Sequence, residues 1–282
     1  MIIDFHTHIL PPHIKSNRDK YIHSDSVFAE IFTDPKSKIA TADDLISAMD
    51  DDGIDISVVH NYGWNSASLT REVNDYILES IARYSKRLIG FCTASFDDVE
   101  TAMREIERCL ASGAKGIGEI RPDITPGQDK IGLLKPVTDY LAEHNIIMLT
   151  HSSEIDGHHY PGKGSATPDL LLSLVKLNPN LKIVCGHWGG GLHLQTGVPE
   201  IKNVVKNVFF DSAASPFLYP PEIYQSMVTT FGADKLLFGT DYPLLKAKRY
   251  FKEIKTLNLP PSVEKGFMGE NARRLLGIGE EL

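Results

Sequence analysis

The stretch that decides the fold is the opening run Ile2-Ile3-Asp4-Phe5-His6-Thr7-His8. An apolar run that ends in His-x-His is typical of a buried β-strand whose end reaches a metal ion. Side chains two positions apart on a strand point to the same face, so His6 and His8 can bind one ion together. Neutral imidazole is a ligand for Zn, Cu, Fe and Ni. Two ordinary histidines at a strand end would give the same pattern, so the rest of the chain decides between the two interpretations.

The same pattern of an apolar run before a metal-competent side chain occurs four more times. These side chains are Glu119 after residues 114–118, His151 after 146–150, His187 after 181–186 and Asp241 after 235–240. Three further runs lack a clear ligand and cover residues 54–60, 87–92 and 207–211. Short runs rich in β-branched and aliphatic residues are typical of buried parallel strands. The sequence therefore contains eight strand candidates.

Helical segments separate these strands. Residues 41–52 begin with Thr41, followed three positions later by Asp44, which resembles a capping box. Residues 70–84 and 97–112 carry apolar side chains on one face, and Thr167-Pro168 opens another helix with proline at its favoured first position. Alternating strands and helices predict a (β/α)8 TIM barrel, whose active site lies at the carboxyl ends of the strands. One such domain, of about 250 residues, accounts for residues 1–282.

The composition is that of a globular protein, with 42% hydrophobic and 23% charged residues. No apolar run approaches about 18 residues, so we expect no membrane span. A formal net charge of −8 argues against nucleic acid as a partner, because such binding needs concentrated Lys and Arg. The three cysteines form no CxxC pair, which favours a reducing cytoplasm. A homodimer is the default expectation for such an enzyme.

Five motifs stand out along the chain: Asp4-Phe5-His6-Thr7-His8, His151, Gly186-His187-Trp188-Gly189-Gly190-Gly191, Phe238-Gly239-Thr240-Asp241-Tyr242-Pro243 and Asn271-Ala272-Arg273-Arg274-Leu275-Leu276. Together they resemble the motifs of the amidohydrolase superfamily. The resemblance is best to the amidohydrolase 2 branch, which includes enzymes like aminocarboxymuconate-semialdehyde decarboxylase. It implies a divalent metal, typically zinc, held by His6, His8, His151 and Asp241. Such ligands also accept Mn or Fe, so the metal's identity stays open.

The resemblance also implies two catalytic residues. Asp241 would contact both the metal and its bound water, and would accept a proton as the water attacks. A bound Zn²⁺ lowers the pKa of its water to about 7. His187 would stay near the metal, with or without ligating it, and would polarise a substrate carbonyl or move protons.

Glu119 has two interpretations. It ligates the metal, bridging two ions, or it orients a ligand histidine. Six candidate donors are more than one catalytic zinc with an open position uses, so the sequence leaves one or two ions open.

Three residues are candidates for contact with a small, anionic substrate. Arg121, two beyond Glu119, can hold a carboxylate, or it is a solvated surface charge. Trp188 forms a pocket wall or packs in the core, and His159 lies in the loop after the fifth strand. Residues 11–40 lack periodicity and are predicted to be a long loop over the site. We expect His60 to be structural or to face solvent.

These observations favour a metal-dependent hydrolase in which activated water attacks a C–N or C–O bond. The alternative is a metal-dependent, non-oxidative decarboxylase, a carboxy-lyase, of an aromatic or unsaturated acid. Two less favoured alternatives are a nuclease of the TatD type, which the acidic balance opposes, and a non-catalytic metal-binding protein. A structural zinc site is usually closed by four Cys or His ligands, unlike donors gathered from five distant strand ends.

Overall fold

The computed structural model describes residues 1–123, 131–195 and 199–279. Its centre is a barrel of eight parallel strands, in which every strand pairs with the next along the chain. The strands are β1 Ile3–His8, β2 Ile56–His60, β3 Leu88–Cys92, β4 Gly116–Ile120, β5 Ile147–Thr150, β6 Lys182–Cys185, β7 Val208–Asp211 and β8 Leu236–Leu237. The backbone N–H of Phe5 donates to the carbonyl of Phe238 over 2.7 Å, so β1 and the end of β8 close the ring. The predicted (β/α)8 barrel is confirmed.

Helices surround the barrel. Their bounds are α1 Pro12–Ser16, α2 Arg18–Ile22, α3 Ser26–Phe32, α4 Ala42–Asp52, α5 Ala67–Arg83, α6 Val99–Ala111, α7 Lys135–Glu143, α8 Pro168–Leu177, α9 Pro199–Val204, α10 Ser215–Leu218, α11 Glu222–Phe231, α12 Ala247–Ile254, α13 Pro261–Lys265 and α14 Asn271–Leu276. The predicted capping box at the start of α4 is present, because Thr41 and Asp44 each bond to the other's backbone N–H.

The segment between β1 and α4 differs from the prediction of a structureless loop. It forms the three short helices α1, α2 and α3. Asp25 caps α3 by accepting from the backbone N–H groups of Val27 and Phe28, both over 2.9 Å. The segment nevertheless lies over the barrel mouth as expected, since Ile31 and Phe32 line the cavity there.

Apolar side chains fill the barrel from below. Ile3 and Phe5 of β1 belong to a cluster inside the barrel, which Ala272 of α14 helps to close at the bottom. The pairing of β1 with β2 shifts register between Asp4 and Thr7. Such irregularities re-aim side chains and are common beside active sites. Above this shift, the interior of β1 becomes polar.

A second apolar layer lies between the strands and the helices. The cysteines Cys92, Cys109 and Cys185 are buried and free. Among the described residues, no helix has both the length and the apolar character needed to cross a bilayer.

Candidate metal centre

Buried histidines and one glutamate meet at the carboxyl ends of the strands. They form two overlapping groups, and within each group one donor atom per residue lies within 4.8 Å of the others. The first group is His6, His8, His60 and Glu119, and the second is Glu119, His151 and His187. Glu119 belongs to both groups. The structure thus brings together donors that lie far apart in the sequence.

His6 is held from behind by a carboxylate. Its Nδ1 donates to Oδ2 of Asp211 over 2.8 Å, and both side chains are fully buried. This bond fixes the ring so that Nε2 points towards Asp241 Oδ1, 3.8 Å away. A carboxylate behind a histidine in this way orients metal ligands in many proteins. Gly239 makes room for the ring, since a Cβ there would lie 2.9 Å from Cβ of His6.

His8, two residues further along β1, faces the same point. Its Nε2 lies 3.2 Å from Asp241 Oδ1 and 3.9 Å from Glu119 Oε2. The ring of Tyr62 stacks on its face, with centroids 3.7 Å apart. Asp241 is anchored through its backbone, because its N–H donates to the carbonyl of His6 over 2.9 Å.

Glu119 connects the two groups through its two oxygens. Oε1 lies 2.8 Å from Nδ1 of His151 and 3.8 Å from Nε2 of His187, whereas Oε2 faces His8. Nδ1 of His187 donates to the carbonyl of Ala213 over 3.1 Å, which leaves Nε2 directed into the site. The geometry is compatible with both interpretations of Glu119, as a ligand and as the partner of His151.

The backbone is strained where two of these side chains emerge. Asp241 has φ 62° and His187 has φ 51°, in the left-handed region that residues with a Cβ seldom adopt. Strain of this kind tends to occur at functional sites. Gly190 in the turn after His187 has φ 60°, and a Cβ there would lie 2.4 Å from the carbonyl oxygen of Ser153. Only glycine allows this close approach.

The electrostatics of the cluster fit a bound cation. Burial by itself lowers the pKa of His6 and His187, but neighbouring carboxylates outweigh it and raise these pKa values to about 9 and about 10. Burial opposes ionisation of Asp241 as well, yet the adjacent histidines lower its pKa to about 2. The pKa of Glu119 is likewise well below its usual value. The carboxylates are therefore ionised and need positive charge beside them.

The donor set fits a divalent metal. Nε2 of His6 is buried and has no hydrogen-bond partner within the ranges that the structure describes, although it points at the carboxylates. Buried polar atoms are normally partnered. Imidazole and carboxylate together suit Zn, Mn or Fe. A buried metal-binding site of histidine and glutamate is thus present, and the metal's identity is open.

A cavity of about 360 Å³ lies above the donors. Its walls are mostly apolar and include Phe32, Tyr62, Pro243, Phe217 and Leu244. Arg121 also lines it and is only 4% exposed, so it is not the solvated charge of the alternative interpretation. Its guanidinium lies 3.3 Å from Asp123 Oδ2 and 3.6 Å from Glu30 Oε2.

Two of the predicted substrate contacts do not lie at this cavity. Trp188 is fully buried, packs on Tyr224 with ring centroids 5.2 Å apart, and donates from Nε1 to Ser215 Oγ over 2.9 Å. The left-handed turn sends its side chain away from that of His187, so it packs in the core. His159 is exposed, and its neighbour His158 lines the cavity instead.

Three residues of the site were not anticipated from the sequence. Asp211 holds His6, Tyr62 stacks on His8, and His60 joins the first donor group. Asp211 and His60 both end predicted strands, and that position was the available signal.

Comparison with known proteins agrees with this architecture. The amidohydrolase family model matches residues 3–278, so the chain belongs to the amidohydrolase family. It is 23% identical over 331 aligned positions to 2-amino-3-carboxymuconate-6-semialdehyde decarboxylase of Dictyostelium discoideum, covering 98% of this chain and 91% of that protein. It is 24% identical to gamma-resorcylate decarboxylase of a Polaromonas species, over 61% of this chain and 65% of that one.

A solved structure shares the fold over nearly the whole length. The 5-carboxyvanillate decarboxylase of Novosphingobium aromaticivorans, crystallised with manganese and 4-hydroxy-3-methoxy-5-nitrobenzoic acid, superposes with a TM-score of 0.81 at 20% identity. The match covers 99% of this chain and 96% of that one. At this identity the likeness establishes the fold.

Proposed function

We propose that this enzyme of the amidohydrolase family is a metal-dependent, non-oxidative decarboxylase of an aromatic or unsaturated acid. The observation that carries the proposal is that one cavity combines a cluster of metal-competent side chains with an apolar, aromatic wall. Its floor holds the donor cluster, and its walls are apolar and aromatic. The named relatives, which are decarboxylases, support this carboxy-lyase alternative over the hydrolase that the sequence favoured.

The residues that would hold the metal are His6, His8, His151, Asp241 and Glu119. When bound, a divalent cation would supply positive charge that orients the oxygens of the substrate and stabilises developing negative charge. Asp211 keeps His6 in place for this task. Arg121 would bind a carboxylate or phenolate oxygen of the substrate, since arginine matches such groups through paired N–H donors.

Decarboxylation needs one proton. The C–C bond to the carboxylate breaks, its electron pair stays on the substrate carbon, carbon dioxide leaves, and a proton takes its place. His187 is suited to deliver that proton, because the carbonyl of Ala213 holds its Nδ1 and leaves Nε2 directed into the site. Asp241, with a pKa of about 2, stays ionised and stabilises the positive charge of its neighbours.

The test is turnover of a panel of hydroxylated aromatic acids and unsaturated acids, with manganese or zinc added. We expect release of carbon dioxide and, in D₂O, one deuteron on the product carbon. Asp241→Asn should lower metal affinity by at least about 10-fold, and turnover with it, because it removes the charge of a proposed ligand. The fold should be kept, since the backbone anchor to His6 is unchanged. Near-wild-type turnover by this variant would contradict its role. Failure to decarboxylate any acid of the panel would contradict the proposal.

Hydrolysis is the second candidate, and one observation favours it. Asp241 is ionised beside the donors, as a proton acceptor for an attacking water must be. Incubation with lactones and amides in ¹⁸O-water separates the two reactions. Incorporation of ¹⁸O into a carboxylate product would replace decarboxylation as the proposed activity.

A further inference from the structure

The end of β2 carries a histidine that the proposed mechanism does not use. His60 is the last residue of β2 and the register partner of His8 on β1. Its side chain is fully buried. Of the two expectations for His60, a structural role and a solvent-facing position, the second is wrong, and its place beside His8 requires an explanation.

The imidazole of His60 packs between two residues of the metal centre. Its ring centroid lies 4.4 Å from that of His6 and 4.4 Å from that of His8, with planes near perpendicular to both. One ring nitrogen each of His6, His8 and His60 and one oxygen of Glu119 lie within 4.8 Å of one another. Two nitrogens about 2.1 Å from one zinc ion lie at most about 4.2 Å apart. In a tetrahedral site the donors lie about 3.4 Å apart, so pairs that are separated by as much as 4.8 Å would close by about 1.4 Å around one ion.

The two ring nitrogens of His60 have different surroundings. Nδ1 lies 3.4 Å from the carbonyl of Asn61, whereas Nε2 is buried and lacks a hydrogen-bond partner across the described ranges. A proton on Nδ1 leaves the Nε2 lone pair free. This is the usual state of a metal-bound histidine, whose other nitrogen donates to a carbonyl or carboxylate.

The backbone at the end of β2 ties His60 to the rest of the cluster. The carbonyl of Asn61 that faces His60 Nδ1 also accepts the backbone N–H of Glu119 over 2.9 Å. The Asn61 side chain is fixed in turn, since Nδ2 lies 3.2 Å from Asn74 Oδ1 and Oδ1 accepts from the N–H of Tyr62 over 2.9 Å. One carbonyl thus positions two members of the first donor group.

We propose that His60 is a further metal ligand, binding through Nε2 on the side of the barrel where β1 meets β2. It adds a nitrogen donor from a strand to which the sequence analysis assigned none. The inference rests on the metal centre of the proposed function and is independent of which bond the enzyme breaks.

Two substitutions of His60 test the roles of its two ring nitrogens separately. In His60→Asn, the side-chain amide replaces the atom at Nδ1 and nothing replaces Nε2. In His60→Gln, the amide reaches the position of Nε2 instead. If His60 only braces the fold through Asn61, His60→Asn is the milder change. If it binds metal, His60→Gln is the milder change. His144→Gln, at an exposed position after α7, is the matched control.

The experiment titrates metal-free full-length protein with Mn²⁺ alone and with Zn²⁺ alone, after circular dichroism has verified the fold. We expect the Kd to rise by about 10- to 100-fold in His60→Asn, by less in His60→Gln, and not in His144→Gln. X-ray absorption of the metal-loaded wild type and His60→Gln should count one imidazole fewer in the variant. This count would not change if His60 were merely structural.

Three results would overturn the inference. An unchanged imidazole count in His60→Gln would remove His60 from the metal. Wild-type affinity in a folded His60→Asn would do the same. Failure of the wild type itself to bind either ion would remove the metal centre, and with it the proposed function. Absence of decarboxylation with normal metal binding would leave this inference intact and contradict only the proposed reaction.

Discussion

At the scale of single residues, the site is a set of negative charges that the fold has placed together. Asp211, Glu119 and Asp241 lie around His6 within a buried pocket. Carboxylates so close to one another need positive charge, and in the metal-free protein the protonated histidines supply it. A divalent cation would do so more effectively, because it replaces protons and gains ligand bonds at the same time. The pKa values of the histidines therefore bear directly on metal affinity.

We predict that metal binding releases protons. The pKa of His6 is about 9, above its ordinary value, so its ring is protonated in the metal-free protein at pH 7 and must lose that proton to ligate. Metal affinity should then fall as the pH falls from 9 towards 6. Calorimetric titration with Mn²⁺ in two buffers of different ionisation heat should give at least one proton released per ion at pH 7. A heat independent of the buffer would contradict the assignment of His6.

A second prediction separates the two roles of Glu119. If it is a ligand, Glu119→Gln should lower the metal content per chain, because a neutral amide is a poorer ligand than a carboxylate. If it only orients His151, the stoichiometry should be unchanged. We expect the loss, since Glu119 belongs to both donor groups. Elemental mass spectrometry on protein purified without chelators or a His-tag measures it, with the exposed Glu143→Gln as control.

At the scale of elements, the segment between β1 and α4 forms part of the wall of the site. Asp25 holds this segment at two places. It caps α3, and its Oδ2 accepts from the backbone N–H of Ser66 at the start of α5 over 2.7 Å. Phe32 at the end of α3 lines the cavity. The position of this cavity wall therefore depends on one buried carboxylate.

We predict that Asp25→Ala loosens the cavity wall. Loss of the cap and of the bond to Ser66 should lower the free energy of unfolding by about 2 kcal/mol. It should also raise KM more than it lowers kcat, because the donor residues are untouched. Amide exchange in α3 and chemical denaturation would test this. Asp34→Ala, which removes an exposed bond to the N–H of Lys36 in the same segment, should have little effect on either.

The elements that the sequence predicts well are those with a strong local signal. β1 begins with apolar residues and ends in His-x-His, β5 is a short apolar run, and α4 opens with a capping box. The helices α1 and α2 have five residues each, too few for a hydrophobic period to emerge. They form because tertiary packing stabilises them, since isolated helices this short are marginal in water. Such packing does not show in the local sequence.

At the scale of the whole molecule, closure of the barrel creates the site. The order of the candidate ligands along the chain sufficed to predict most of the cluster, because parallel strands end at the same rim. It did not identify Asp211 or His60, since their functional partner His6 becomes a neighbour only when β1 meets both β2 and the end of β8. Trp188 is the opposite case: its sequence position predicted a place at the site, but a left-handed turn directs its side chain away from the cavity and into the core. Local sequence does not encode that direction.

The last prediction concerns the stability of the barrel as a unit. The proposed ligands come from β1, β2, β4 and the ends of β5 and β8, so one bound ion would link strands around the ring. A ligand that binds only the folded state stabilises it by about 2.7 kcal/mol at a free concentration of 100 Kd. For a domain of this size that corresponds to a rise in Tm of roughly 5 °C. Thermal unfolding with and without Mn²⁺ measures the rise, and a chelator should reverse it. His8→Ala should show a smaller rise relative to its own metal-free state. An equal rise in that variant would mean that the ion binds elsewhere on the protein.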